Sequence, residues 1–232
     1  MVRNRIHPHA SIRIFLLLLL MSALPASAQV MIGPLPYLSS ADSPFVPLPV
    51  SGYFYLEDFE DDLFNVPGVT ASNGTVVGPE DWGSLLDSVD GDNGPIDGLG
   101  NSGRSFFNTS GSVTFTFNAG ILGALPTHVG IVWTDGGNPT FQAFGPGNVL
   151  LGTLSGTHAD GSNYGGTAED RFYGINNPGG IESIKITAAS WELDHLQYGT
   201  LAAVPEPATW QLFLSGGAML GLVWWRRQSR DC

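Results

Sequence analysis

Five carboxylates fall within six residues at Glu57, Asp58, Glu60, Asp61 and Asp62. At that density like charges repel unless a cation or solvent lies between them. In a strand, alternation would send Asp58, Glu60 and Asp62 to one face and Phe59 to the other. The cluster therefore reads either as part of a cation site or as a solvated strand edge, charged against edge-to-edge pairing. A second acidic stretch, residues 87–98, sets Asp87, Asp90, Asp92, Asn93 and Asp97 among glycines that permit tight turning. Calcium takes about six to eight oxygen ligands, and loops of this chemistry supply them. The stretch is not an EF-hand, because the Asp-x-Asp-x-Asp-Gly core is incomplete and no glutamate stands at the required distance. Asp90, Asp92, Asn93 and Asp97 are the main ligand candidates, with an unliganded acidic turn as the alternative.

A third group lies near the C-terminal end, in Trp191-Glu192-Leu193-Asp194-His195-Leu196-Gln197-Tyr198. In β-sandwich carbohydrate-binding modules the first and last strands often lie side by side and share a structural calcium. By that analogy Glu57 and Glu60 would meet Asp194. An acid pair such as Glu60 and Asp194 would also suit a polysaccharide hydrolase, whose carboxyl groups stand about 5 to 9 Å apart. His195 could be a zinc ligand or a general base, but no second histidine lies near it, and a hydrogen-bonded structural histidine is the alternative. Trp82, Trp133, Trp191 and Tyr164 could stack on sugar rings or, as large aromatics of a sandwich, fill its core. There is no Gly-x-Ser-x-Gly elbow, phosphate loop or His-Glu-x-x-His. These absences favour a non-catalytic domain.

The elements that must position these groups are short β-favouring runs separated by glycine and proline. They occupy residues 53–59, 66–71, 112–118, 128–134, 140–144, 149–154, 170–175, 181–188 and 193–198. Alternation is clearest in Val113-Thr114-Phe115-Thr116-Phe117 and in Ile181-Glu182-Ser183-Ile184-Lys185-Ile186, each with one apolar face. No segment between the two ends carries a long period of 3.6 residues. The pattern predicts an all-β sandwich of eight or nine strands over residues 53–200, with a jelly roll as a candidate topology. Residues 29–52 are rich in proline and serine and read as an extended linker.

Between residues 29 and 204 lie nineteen of the 21 acidic residues but only three of the nine basic ones, Arg104, Arg171 and Lys185, for a net charge of −16. Such a surface repels phosphate backbones, which excludes nucleic acid as a partner. Divalent cations are its natural counter-ions. The single cysteine, Cys232, is the last residue, so this segment has no disulfide.

The two ends carry addresses. Residues 1–28 have a basic start (Arg3, Arg5, Arg13), an apolar run over 14–21 and Ala26-Ser27-Ala28. This is the order of a secretory signal peptide, with cleavage expected between Ala28 and Gln29 by signal peptidase. The C-terminal tail, residues 201–232, contains Val204-Pro205-Glu206-Pro207, then eighteen uncharged residues (208–225), then Arg226, Arg227 and Arg230. As a helix the uncharged stretch rises about 27 Å, close to the hydrocarbon thickness of a bilayer. A single transmembrane helix is expected there, with the basic end kept in the cytoplasm and acting as stop-transfer.

Tripeptide, span and arginine cluster together resemble the PEP-CTERM sorting signal of Gram-negative bacteria. That resemblance implies handling by exosortase, a membrane enzyme thought to cleave near the motif, with Pro205, Glu206 and Pro207 as the recognition element. It implies an exported protein, anchored in the inner membrane as an intermediate and then found at the cell surface or outside. The phrases Tyr55-Leu56-Glu57-Asp58-Phe59-Glu60, Asp87-Ser88-Val89-Asp90, Gly130-Ile131-Val132-Trp133-Thr134-Asp135, Ala168-Glu169-Asp170-Arg171-Phe172-Tyr173-Gly174 and Asp194-His195-Leu196-Gln197-Tyr198 look like the recurring ectodomain of other PEP-CTERM proteins of unassigned activity. The expected role is thus a surface or extracellular-matrix component with a calcium-supported sandwich that either interacts with polysaccharide or simply builds the surface layer.

Overall fold

The computed structural model describes residues 28–46, 50–89, 103–109, 111–162 and 169–201. Two antiparallel sheets are present. The larger is built from β1 (Val30–Pro36), β2 (Val50–Glu57), β4 (Thr75–Val77), β5 (Ser105–Asn108), β7 (His128–Gly136), β10 (Arg171–Asn176) and β12 (Trp191–Leu201). Its order is β1-β10-β7-β12-β5-β4, with β2 also on β12. The smaller contains β3 (Val69–Ala71), β6 (Gly111–Phe117), β8 (Thr140–Gly145), β9 (Val149–Ser155) and β11 (Ser183–Ala188), in the order β3-β6-β11-β8-β9. The chain passes repeatedly from one sheet to the other, so sheet neighbours are seldom neighbours in sequence.

The alternating residues of each strand build the core. Val113, Phe115 and Phe117 of β6 turn inward, as do Phe141 and Ala143 of β8 and Ile184 and Ile186 of β11. They meet Val129, Ile131 and Trp133 of β7 and Trp191, Leu193, Leu196 and Tyr198 of β12 from the opposite sheet. Side chains of two inner faces interdigitating around one apolar layer make a β-sandwich.

β12 changes phase midway. Trp191 and Leu193 point inward, then the inward positions move to Leu196 and Tyr198, because the register against β7 shifts between Asp194 and Gln197. His195, at φ 44°, is the residue taken up in this bulge. Glu192, Asp194 and Gln197 are thereby all left on the outer face of the larger sheet.

That outer face is itself covered. Tyr37, Phe45, Val89, Val132, Phe172 and Leu201 form a second buried apolar cluster there. The expected linker over 29–52 thus contributes strand β1 and two core aromatics. Pro34 and Pro36 fit because β1 is an edge strand, where a missing N–H breaks no ladder between two neighbours. Residues 53–59 were expected as one strand, but β2 ends at Glu57, and Phe59 and Asp62 take left-handed backbone conformations at φ 58° and 67°. The expected alternation of Asp58, Glu60 and Asp62 therefore does not occur.

At Gly136, where β7 meets the start of β12, φ is 124°, and a Cβ would fall inside contact distance of the Ser190 carbonyl oxygen. Gly136→Ala should destabilise the sandwich by about 2 kcal/mol, read as a lowered urea midpoint. An unchanged midpoint would refute the close approach.

Candidate functional site

The carboxylate that ends β2 organises the loop after it. Glu57 Oε1 accepts the amide of Phe59 at 3.2 Å, and Oε2 accepts those of Asn65 at 3.1 Å and Val66 at 3.3 Å. Folding the loop back in this way drives Phe59 fully into the core. Asp58 and Glu60 are left exposed, and Glu60 Oε1 accepts the Arg104 amide at 2.7 Å. The Arg104 guanidinium then bridges Asp62 at 2.9 Å and Glu80 at 2.6 Å. Exposed pairs of this kind add little stability. Their effect is to tie the 58–62 loop to the short helical turn Pro79–Trp82.

Asp194 occupies the centre of this region. It is fully buried, its Oδ2 accepts the Val89 amide at 2.8 Å, and its Oδ1 accepts the His195 amide at 2.6 Å. Burial pushes its carboxyl well above the usual carboxylate range; the two amides oppose this, and Glu60 and Asp58 reinforce it. Two residues earlier, Glu192 accepts the Asp87 amide at 2.6 Å, and burial pushes its carboxyl up to about 8, with Asp135 adding to the rise. The Asp87 carbonyl in turn accepts the Thr134 hydroxyl at 3.0 Å. The segment 87–89 is thus laid across the sheet by two carboxyl groups of β12 and a hydroxyl of β7.

Further along β12, Gln197 donates to Tyr37 Oη at 2.8 Å and accepts from the Ser43 hydroxyl. His195 Nδ1 lies 3.0 Å from the same Tyr37 oxygen, and burial lowers its imidazole to about 4. It is a neutral, hydrogen-bonded histidine within the fold, the structural alternative of the two that its sequence position allowed.

The Glu60 and Asp58 charges act on the Asp194 carboxyl, with no contact to it, and the Glu57 carboxylate is turned to backbone amides. Asp90, Asp92, Asn93 and Asp97 lie outside the described residues, as do Tyr164, Pro205, Glu206, Pro207, Arg226, Arg227 and Arg230. So do the expected signal, up to its last residue, and the expected span over 208–225. Ala28 and Gln29 are described, immediately before β1. Among the described residues no three His, Cys, Asp or Glu side chains converge as a metal site. Nor is any helix among them long and apolar enough to cross a membrane. Trp133 and Trp191 are core residues, whereas Trp82 is 41% exposed.

Sequence reasoning missed Glu192 and Asp135 as site residues. Glu192 stood in view beside Asp194, but its facing partner, set by strand register, has no local signal.

The model of the PEP-CTERM protein-sorting motif matches residues 203–227. No curated protein matches the chain. Among solved structures, a family 6 carbohydrate-binding module studied by sub-site dissection is similar over 66% of this chain and 95% of its own, at 16% identity and a TM-score of 0.35. Nothing about ligand or activity passes between two chains at that level of similarity.

Proposed function

We propose that this chain, which carries a PEP-CTERM sorting motif directly after its last described strand, is a non-catalytic surface or extracellular-matrix component that exosortase processes after export. The observation that carries the reading is the position of the motif. β12 ends at Leu201 in the middle of the larger sheet, and the matched region begins at 203. A cut near Pro205-Glu206-Pro207 would leave every described strand intact. In this reading residues 1–28 are the signal peptide, and 208–225 hold the uncut chain in the inner membrane.

Replacing Pro205-Glu206-Pro207 by three alanines in the native host should convert released or surface-attached protein into full-length, membrane-retained protein. Release of a mature form at the wild-type rate would overturn the reading.

The sandwich itself is proposed to be stiffened by calcium and to engage polysaccharide. Asp194 supports the calcium part. It is a fully buried carboxyl whose nearest charged influences, Glu60 and Asp58, are themselves acidic. A buried charge normally requires a partner of opposite sign. In this reading calcium would be held by Asp194 and Glu60 together with oxygens from Asp90, Asp92, Asn93 and Asp97, the stretch that follows Val89 in the sequence. Glu57, already accepting three amides, would shape the loop that presents Glu60. The hydrolase alternative asks Asp194 to reach a polysaccharide chain, and a side chain with no exposure to solvent suits that poorly.

A further inference from the structure

The row of outer-face residues that begins β12 continues across its neighbours. Glu192 faces Asp135 of β7 on one side and Phe107 of β5 on the other. Trp82, from the helical turn Pro79–Trp82, lies over Phe107 with ring centroids 5.2 Å apart. Between them is a cavity of about 360 Å³, walled by Trp82, Leu85, Phe107, Asp135, Ser190 and Glu192. The segment 87–89 is held on the sheet beside it by Glu192 and Asp194.

The lining is of two kinds. Trp82 is 41% exposed, which is unusual for an indole that could have been packed, and it offers an aromatic wall backed by Phe107. The floor holds two carboxyl groups, Asp135 and Glu192, buried to 4% and 5% exposure. Each has one oxygen held by a backbone amide, from Gly136 and Asp87 respectively, and Asp135 also shares a side-chain hydrogen bond with Glu169 and feels the Asp160 charge, so the acidic floor extends beyond the pair. Among the described residues no lysine, arginine or histidine lines the cavity. Two acids side by side without a basic partner, beneath an aromatic wall, match a ligand with an ammonium group on a ring body. The charge meets both carboxylates and the ring lies against the indole. A neutral sugar would leave the two acids facing each other, and an anionic one would be repelled.

We propose that this cavity binds an amino sugar with a free amine, a glucosamine-type unit of a polysaccharide, stacked on Trp82 with its ammonium between Asp135 and Glu192. The proposal rests on the polysaccharide reading above and gives it a place and a chemical class.

The test uses the full chain in detergent, titrated calorimetrically with β-linked glucosamine oligomers and with the same oligomers N-acetylated. The free-amine oligomer should bind at least tenfold more tightly, a difference of about 1.4 kcal/mol. Trp82→Ala and Glu192→Gln should each weaken it about tenfold. Gln keeps the acceptor that Asp87 uses, and thermal melts of both variants check that the sandwich stays folded. Equal binding of the two oligomers, with Glu192→Gln unaffected, would overturn the ammonium assignment. Binding that Trp82→Ala leaves intact would overturn the cavity as the site while the polysaccharide reading stands. If neither these oligomers nor any other glycan on an array binds, both fall.

Discussion

In the presence of a chelator, the folded domain loses stability between pH 6.5 and pH 8, by about 1.5 kcal/mol from Glu192 alone, contrary to the usual expectation that paired carboxylates favour neutral pH. The cause is the pair of buried acids on β12. Glu192 is pushed up to about 8 and Asp194 is pushed up strongly, both chiefly by burial. A carboxyl whose folded pKa exceeds its unfolded value holds its proton longer in the folded state. Its stabilising contribution is complete below the unfolded pKa, near 4, and is lost as pH rises through the folded pKa. A group of this kind costs about 1.4 kcal/mol per pH unit across that window, so Glu192 costs about 1.5 kcal/mol over this interval, and Asp194 acts in the same direction.

Histidine works in the opposite direction at lower pH. His158 and His195 are both lowered to about 4 by burial, so their contribution is present above about 6.5 and lost as pH falls. Below pH 6.5 the two effects oppose each other and the profile flattens. Above about pH 7.5 the histidines are neutral in both states and only the acids act; between 6.5 and 7.5 the last protons leaving the unfolded histidines offset part of the fall, by about 0.4 kcal/mol each. Urea melts at pH 6.5, 7.25 and 8 read the slope directly, and Glu192→Gln should reduce it by about 1.5 kcal/mol over the interval. A flat or rising profile above pH 6.5 would refute the burial of these acids without a cationic partner.

Much of the frame behind this prediction can be read along the chain. The alternating apolar residues of β6 and β11 mark their inward faces, and nine of the strands lie where β-favouring runs occur. Even the bulge of β12 leaves a trace, since the apolar positions 191, 193, 196 and 198 skip one step at His195. Where the reading failed, the strands lacked local support. β1 contains Pro34 and Pro36, which deter a strand anywhere but an edge, and β4 and β5 have only three and four residues. A strand that short is fixed by its neighbours rather than by its own period.

The candidate sites divide along the same line. Asp194 was recognisable because it sits among other acids in a strand of clear period. The Asp135–Glu192–Phe107 row was not, because three strands distant in sequence bring it together. Trp82 could be named as a stacking residue from its type alone. Only the fold separates it from Trp133 and Trp191, which are spent on the core.

The second large effect concerns calcium at Asp194, and the pH slope supplies its logic. A cation beside Asp194 favours the ionised carboxylate, so it must compete with the proton that burial holds there. Calcium at about one hundred times its dissociation constant should add about 2.7 kcal/mol. For a domain of this size that is a rise of about 5 to 10 °C in melting temperature. The rise should be largest at pH 8, where the proton is most easily displaced, and small at pH 5. Part of the pH slope seen in chelator should then disappear. Magnesium demands near-octahedral geometry and dehydrates reluctantly, so it should be the weaker ion. Sodium chloride at matched ionic strength controls for screening of the net −16 surface. Asp194→Asn preserves the acceptor for Val89 while deleting the charge, and it should abolish the calcium response while leaving a folded sandwich. A melting temperature at pH 8 that is the same in calcium and in chelator would rule out a structural calcium, because a ligand that binds only the native state must raise its stability.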